Sequence, residues 1–229
     1  MTEVKKEAEK QEVVKTEKQE VKKNEVASYV GNLIKNAQES FLAANQGFEL
    51  DFVYMGTWLA VNSKGQFYDK DDESINFGDS INVVLGGAEQ RFMLWGREGS
   101  EQDGQLLVAE SSRDAAEERL KSLLEDDPKM SYTIADIQSR QLLFLVMLDE
   151  IKSDFPTIYQ LSLPQTGKIA FGKWALNVYR GAYKKDGFKQ GTNLNSIVTN
   201  ITTVEKRNGN KNYIGYVFKA ESLFDITKA

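Results

Sequence analysis

The stretch Ser80–Gly96, SINVVLGGAEQRFMLWG, decides how the chain folds. It reads as one long strand interrupted at Gly86-Gly87, where a bulge or sharp bend is the least costly use of two adjacent glycines. Long bent strands are what small closed barrels need, so the spacing points to a mainly β architecture organised round this segment.

Working outward, GQLLVAE (104–110) pairs with the long strand across a loop holding Gly99 and Gly104. Upstream, FELDFVYMGTWLAVNSKGQFYD (48–69) sets aromatic and β-branched runs on either side of Asn62-Ser63-Lys64-Gly65, a hairpin signal. Downstream, RQLLFLVMLDE (140–150) is a continuous apolar run of strand length, with helix as the alternative. FPTIYQLSL (155–163) follows the turn-like Lys152-Ser153-Asp154, and the two read as a central hairpin. NSIVTNITTVEKRNGNKNYIGYVFKA (195–220) alternates on both sides of Arg207-Asn208-Gly209-Asn210 and is the clearest hairpin of the chain.

Three segments read as helix. VASYVGNLIKNAQESFLAA (26–44) places Val26, Tyr29, Val30, Leu33, Ile34, Ala37, Phe41 and Leu42 at helical spacing, with Gly47 as a stop. SSRDAAEERLKSLLEDDP (111–128) has Ser and Asp at its start and Pro128 beyond its end. After Pro164, the pattern of Ile169, Ala170, Trp174, Leu176, Tyr179 and Ala182 predicts a helix with these residues inward. Residues 1–25, with seven Lys, seven Glu and no aromatic, offer little apolar surface and read as a charged arm. The expected fold is therefore α+β, mainly β: a bent-strand barrel with one or two accessory helices and a helical N-terminal segment. In domain terms this is an arm at 1–25 followed by a single domain at 26–229.

Composition excludes much chemistry. Cys and His are both absent, which removes disulfides, Cys/His zinc sites, thiol nucleophiles and the Ser/His pair. No phosphate-loop or dinucleotide fingerprint occurs. Asp126-Asp127 reads as a solvated helix end rather than a metal site. No cofactor, no metal and no enzymatic activity are expected. A metal-dependent nuclease would need carboxylates beside the basic segment described next. No window is apolar enough to span a membrane and the first residues lack a secretory apolar core, so a cytoplasmic protein of a bacterial host cell is expected.

The chain carries net charge −5, yet Pro164–Lys219 holds ten bases and only two acids, Asp186 and Glu205, which leaves −13 on the remainder. Residues 98–127 are the counterweight, with ten acids against three bases. Local field rather than net charge attracts a polyanion. The basic segment also holds Phe171, Trp174, Tyr179, Tyr183, Phe188, Tyr213, Tyr216 and Phe218. Rings interleaved with cations suit single-stranded nucleic acid, whose phosphates follow the charges while unpaired bases stack on the rings. Lys173, Arg180, Lys184, Lys185, Lys189, Arg207 and Lys211 are the candidate phosphate contacts. Tyr183, Phe188, Tyr213 and Trp174 are the candidate stacking residues. Phe171, Trp174, Tyr216 and Phe218 read equally well as core.

The order of these elements resembles phage and mobile-element proteins described as single-stranded-DNA-binding-like. Gln90, Arg91, Phe92 and Trp95 match a strand-terminal basic-aromatic segment of theirs, and Thr202, Thr203, Asn208, Asn212, Tyr213, Gly215 and Tyr216 match a closing hairpin. The likeness covers roughly residues 48–219. It implies an OB-like barrel and a single-stranded-DNA-binding protein, largely sequence-independent, of phage or plasmid replication or recombination, and it adds Arg91 to the candidate contacts. Replication or recombination proteins and a second copy of the chain are the further partners it allows. The closing ESLFDITKA departs from the acidic tail of many single-strand binders. The alternative reading is a non-enzymatic interaction or virion-structural protein whose basic face docks an acidic partner.

Overall fold

The computed structural model describes residues 29, 31–37, 39, 52–153, 156–183, 187–209 and 211–224. In chain order the elements are α1 (Phe52–Met55), β1 (Thr57–Val61), β2 (Phe67–Asp69), β3 (Asn76–Gly78), β4 (Ser80–Trp95), β5 (Leu106–Glu110) and α2 (Arg113–Asp126). They continue with β6 (Gln138–Met147), β7 (Tyr159–Leu163), α3 (Gln165–Tyr179), β8 (Ile197–Asn208) and β9 (Lys211–Leu223). The fold is α+β and mainly β, as the sequence predicts. Among the described residues, no helix is long and apolar enough to cross a membrane.

β4 does what its glycines suggest. It pairs antiparallel with β6 from Val83↔Met147 to Met93↔Gln138, and the register slips between Leu85 and Gly87, leaving Gly86 as the extra residue of a bulge. The carbonyl freed there accepts a hydrogen bond from Asn195 Nδ2 at 3.2 Å. On its other edge, the first part of β4 pairs with β8 (Ser80↔Thr202 to Val84↔Val198) and the last part with β5 (Phe92↔Glu110 to Trp95↔Leu106). One bent strand thus carries two different neighbours.

The sheet order is β3-β2-β1-β7-β6-β4-β8-β9, with β5 on β4. The three expected hairpins form: β1–β2, β6–β7 and β8–β9. In the first, Asn62 Oδ1 accepts from the amides of Lys64 and Gln66, and Gly65 takes φ 78°, so the Asn-x-x-Gly signal acts through an Asx turn. β1 runs parallel to β7 for only three residue pairs, Thr57↔Tyr159 to Leu59↔Leu161. Although β2 and β9 lie far apart in this order, the Phe67 and Tyr216 rings sit 6.3 Å apart and the Thr203 hydroxyl donates to the Gly65 carbonyl. The sheet therefore curls back towards itself as a half-barrel.

Both faces of the central strands are buried. Inside the curl, Leu59, Phe67, Val83, Leu143, Leu145 and Leu161 pack under α3 through Trp174 and Val178. On the outside, Val84, Leu142, Phe144 and Val146 pack with Ile34 of the N-terminal helical residues and Val53 of α1. Burying each such side chain is worth about 1.5–3 kcal/mol. α2, capped by the Ser112 hydroxyl accepting from Ala115 N at 3.1 Å, packs Ala116 and Leu120 over Leu94 and Val108 at the far end of β4.

Two expectations need correction. Residues 52–55 form a helical turn where strand was expected. The turn drives Val53 into the outer core while the Tyr54 hydroxyl accepts from the Ala109 amide at 2.8 Å, satisfying a backbone donor of β5. α3 forms where predicted but ends at Tyr179, short of Ala182, and Ile169, Leu176, Tyr179 and Ala182 face solvent rather than the core. The arm at 1–25, and Val26, Val30, Phe41, Leu42 and Gly47 of the N-terminal helix, lie outside the described residues.

Candidate nucleic-acid interface

α3 carries the centre of the basic segment, and its two sides divide the labour. The stripe Gly167, Phe171, Trp174 and Val178, at spacings of four, three and four, faces inward. Gly167 lets the helix approach closely: a Cβ there would stand 3.0 Å from Tyr216 Cδ2 and 3.2 Å from Leu163 Cβ. Phe171 and Trp174 then meet Phe218 at centroid distances of 5.4 and 5.8 Å. The helix consequently follows β9, with its N-terminus towards the tip of the β8–β9 hairpin.

The opposite stripe, Ile169, Lys173, Leu176 and Arg180, has the same spacing and is exposed, with Ile169 48% and Leu176 45% accessible. Beside it stands Tyr179, 61% accessible. At 1.5 Å per residue, the mixed cationic and apolar stripe from Ile169 to Arg180 runs over roughly 17 Å.

The helix ends in a Schellman motif. Gly181 N donates to Val178 O at 2.9 Å and Ala182 N to Asn177 O at 3.0 Å, while Gly181 takes φ 72°, a conformation glycine adopts without Cβ strain. The loop then folds back, Gly191 N donating to Tyr179 O at 2.8 Å. This return sets exposed Lys189 near the C-terminus of α3. At the other end, Arg207 extends from the hairpin tip with its Nε donating to Gly209 O at 3.0 Å. Strand alternation puts Arg207 on the side of the sheet that α3 covers, and Lys206 and its cross-strand partner Tyr213 on the other.

Cations with and without a carboxylate partner occur both in this region and on the rest of the described surface, where exposed Lys64, Arg119, Lys129 and Lys152, outside the basic segment, have none within 4 Å among the described residues. Lys35, Arg91, Arg97, Arg113, Lys121 and Lys219 each have a carboxylate within 4 Å. Among the described residues, Lys173, Arg180, Lys189 and Arg207 have none. Glu205, the one described acid between Pro164 and Lys219, is engaged by Asn212 Nδ2 at 2.8 Å.

The structure redistributes the candidate residues. Lys173, Arg180 and Lys189 gather on α3 and its return loop, and Arg207 stands at the hairpin tip on the same side. Tyr213 is half-buried on the other side, opposite Lys206. Trp174 and Phe188 are corrected: at 4% and 1% accessibility they belong to the inner core and present no face to a base. Phe188 anchors the loop, with half-buried Tyr183 edge-on to it at 6.2 Å. Arg91 is corrected as well. Its side chain is 15% accessible, paired with Glu89 Oε1 at 2.9 Å and donating from Nη1 to Ala109 O at 3.1 Å, so it ties β4 to β5. Lys184, Lys185 and the Lys211 side chain lie outside the described residues. Tyr179 was missed as a stacking candidate, since its helical spacing read as core.

A second feature opens where β1 parts from β7 beyond Leu59↔Leu161. A cleft of about 220 Å³ is lined there by Trp58, Lys70, Trp95, Arg140, Ser162 and Tyr216, among others. The two indoles meet edge to face at 5.2 Å, and Lys70 Nζ lies 3.6 Å over the Trp95 ring. Burial pulls the Lys70 ammonium below its ordinary pKa, against the opposing charges of Asp71 and Asp103. Burial also lowers Arg140 and pushes the Tyr216 phenol up to about 12, the Arg140 charge acting the other way on Tyr216. Arg140 donates from Nη2 to Gln138 Oε1 at 2.7 Å, but its buried Nε has no partner.

No protein-family model, curated protein or solved structure matches the chain.

Proposed function

We propose that the protein binds single-stranded nucleic acid, largely without sequence preference, along α3, the loop that returns beneath it and the β8–β9 hairpin. The observation that carries this reading is the exposed stripe of α3, where Lys173 and Arg180, free of carboxylates, alternate with apolar positions beside the open ring of Tyr179. Unpaired cations attract phosphates at long range, and an exposed ring supplies the stacking surface that duplexes do not use. Lys189 and Arg207 extend the cationic track at either end. Within this proposal the curled sheet acts as an OB-like barrel, and the role is protection of single-stranded DNA in phage or plasmid replication or recombination, as the resemblance implies.

The test is fluorescence anisotropy of labelled oligo-dT against a matched duplex across a salt series, repeated with Lys173→Gln/Arg180→Gln. Each lost phosphate contact on a single strand should flatten the log–log salt slope by roughly 0.7, so the double variant should lose about 1.4. Absence of oligo-dT binding at low salt, or a slope that the variant leaves unchanged, would sink the proposal.

The exposed side chains of Ile169 and Leu176 favour a second reading, in which the same stripe docks a protein with an acidic and apolar surface. That reading expects no oligonucleotide affinity and a loss of partner binding in Ile169→Ser/Leu176→Ser.

A further inference from the structure

We propose that the cleft between β1 and β7 binds a phosphate group carried on a small organic body, of which a nucleoside monophosphate is the representative class. It uses other residues than the α3 stripe and stands or falls separately from it.

The polar side chains of the cleft are all able to donate: the Lys70 ammonium, the Arg140 guanidinium, and the Ser162 and Tyr216 hydroxyls. No carboxylate lines it; Asp71 and Asp103 act on Lys70 from outside the lining. A ligand must therefore bring acceptors and negative charge. Two of the donors are unused. Arg140 Nε is buried without a partner; the Tyr216 hydroxyl, which lines the cleft, makes no hydrogen bond among the described residues. A buried donor left unpaired, as Arg140 Nε is, is costly, and native structures rarely keep one without a reason such as an unfilled ligand site. With its pKa raised, Tyr216 remains a protonated donor throughout the neutral range. A guanidinium presents parallel N–H groups that match two phosphate oxygens, which makes phosphate a natural acceptor for Arg140.

The remaining walls are apolar and shape the other half of the ligand. Trp58, Leu59, Ala60 and Val61 form one side, and Trp95 is held under the Lys70 ammonium. A free inorganic anion would leave that surface in water, whereas a base and sugar would cover it. β1 and β7 diverge here because their parallel pairing ends after three residue pairs, so the opening is part of the topology.

Two of the three tryptophans of the chain line the cleft, so intrinsic fluorescence reads it directly. Adenosine 5′-monophosphate, and separately inorganic phosphate, would be titrated into the intact protein. A saturable change with the nucleotide, weaker with phosphate alone, is expected. Arg140→Met should weaken it at least tenfold and Lys70→Gln severalfold. The thermal midpoint of Arg140→Met should be no lower than that of the parent, since an unpaired, largely buried cation is removed. Should that variant fail to fold, Tyr216→Phe, which loses only the hydroxyl, should still weaken nucleotide binding severalfold. A 5′-phosphorylated oligonucleotide that competes better than the mononucleotide would assign the end of a strand as the source of the phosphate; poorer competition would assign a free nucleotide. No saturable change at millimolar nucleotide or phosphate overturns the proposal, as does binding that neither Arg140→Met nor Tyr216→Phe weakens.

Discussion

Replacing Phe188 and Tyr179 by alanine, one at a time, separates the two jobs an aromatic ring does in this region. Phe188 is 1% accessible and packs with Tyr183 and the inner core, so Phe188→Ala leaves a cavity that its loop fills only in part. Such truncations cost about 3–5 kcal/mol. For a chain of this length each kcal/mol lowers the thermal midpoint by roughly 2–4 °C, so a fall of about 6–20 °C is expected. Tyr179 is 61% accessible, and Tyr179→Ala should shift stability by no more than about 0.5 kcal/mol. Its effect belongs to binding: losing one stacked base costs about 1–3 kcal/mol, or roughly 5- to 150-fold in oligo-dT affinity. The assay pairs thermal unfolding by circular dichroism with anisotropy measured well below both midpoints. A Phe188→Ala protein of parental stability would refute the assignment of that ring to the core. Unchanged affinity in Tyr179→Ala would remove the proposed stacking platform.

Further outcomes follow from single contacts. Gly181→Ala puts a Cβ on a residue at φ 72° and should destabilise by about 1–2 kcal/mol, read as a lower urea midpoint with an unchanged m-value. Ser112→Ala removes the hydroxyl that caps α2 and should cost about 1 kcal/mol in the same assay, with oligo-dT affinity unchanged. Asp136 accepts from the Thr133 amide and from Arg97, and these bonds hold its carboxyl below the usual range. A lowered folded-state pKa gives stability that is present above the unfolded value, about 3.9, and is lost as pH falls through the folded one. Thermal midpoints of the parent and Asp136→Asn should thus differ at pH 6 and converge in strong acid; a constant gap across that range would count against the linkage.

Local signals in the sequence were readable where local chemistry dictates structure. The Gly86-Gly87 interruption announced the bend of β4, and Asn62 with Gly65 announced the β1–β2 turn. What the glycines could not tell was that Asn195, more than a hundred residues on, would satisfy the carbonyl of the bulge. The facing of α3 was misread because the helix carries apolar residues on both sides. Ile169, Leu176 and Tyr179 share the periodicity of Phe171, Trp174 and Val178, and only the contact of Gly167 with Tyr216 picks the buried stripe. Phe188 was misread for the opposite reason: a ring among lysines in a loop resembles a recognition residue, yet this loop needs an anchor. The cleft left no trace in the sequence, since its cations, Lys70 just past β2 and Arg140 in β6, are 70 residues apart and its opening depends on how far a parallel pair extends.

The bend of β4 also accounts for how an acidic chain keeps a cationic face. β8, whose hairpin partner β9 lies under α3, is paired to β4 up to Val84, whereas β5, under the acidic helix α2, is paired from Phe92 onward. Eight residues of strand separate these two positions, roughly 27 Å of contour at about 3.4 Å per residue. The screening length at physiological salt is about 8 Å, well under that contour, so the exposed carboxylates of α2 are expected to couple weakly to phosphates bound as proposed on α3. Glu118→Gln/Glu125→Gln should therefore change oligo-dT affinity at 150 mM salt far less than Lys173→Gln/Arg180→Gln, although both double variants change net charge by two. Equal and opposite effects in the same anisotropy assay would mean that binding follows net charge, and the α3 stripe would lose its standing as the site.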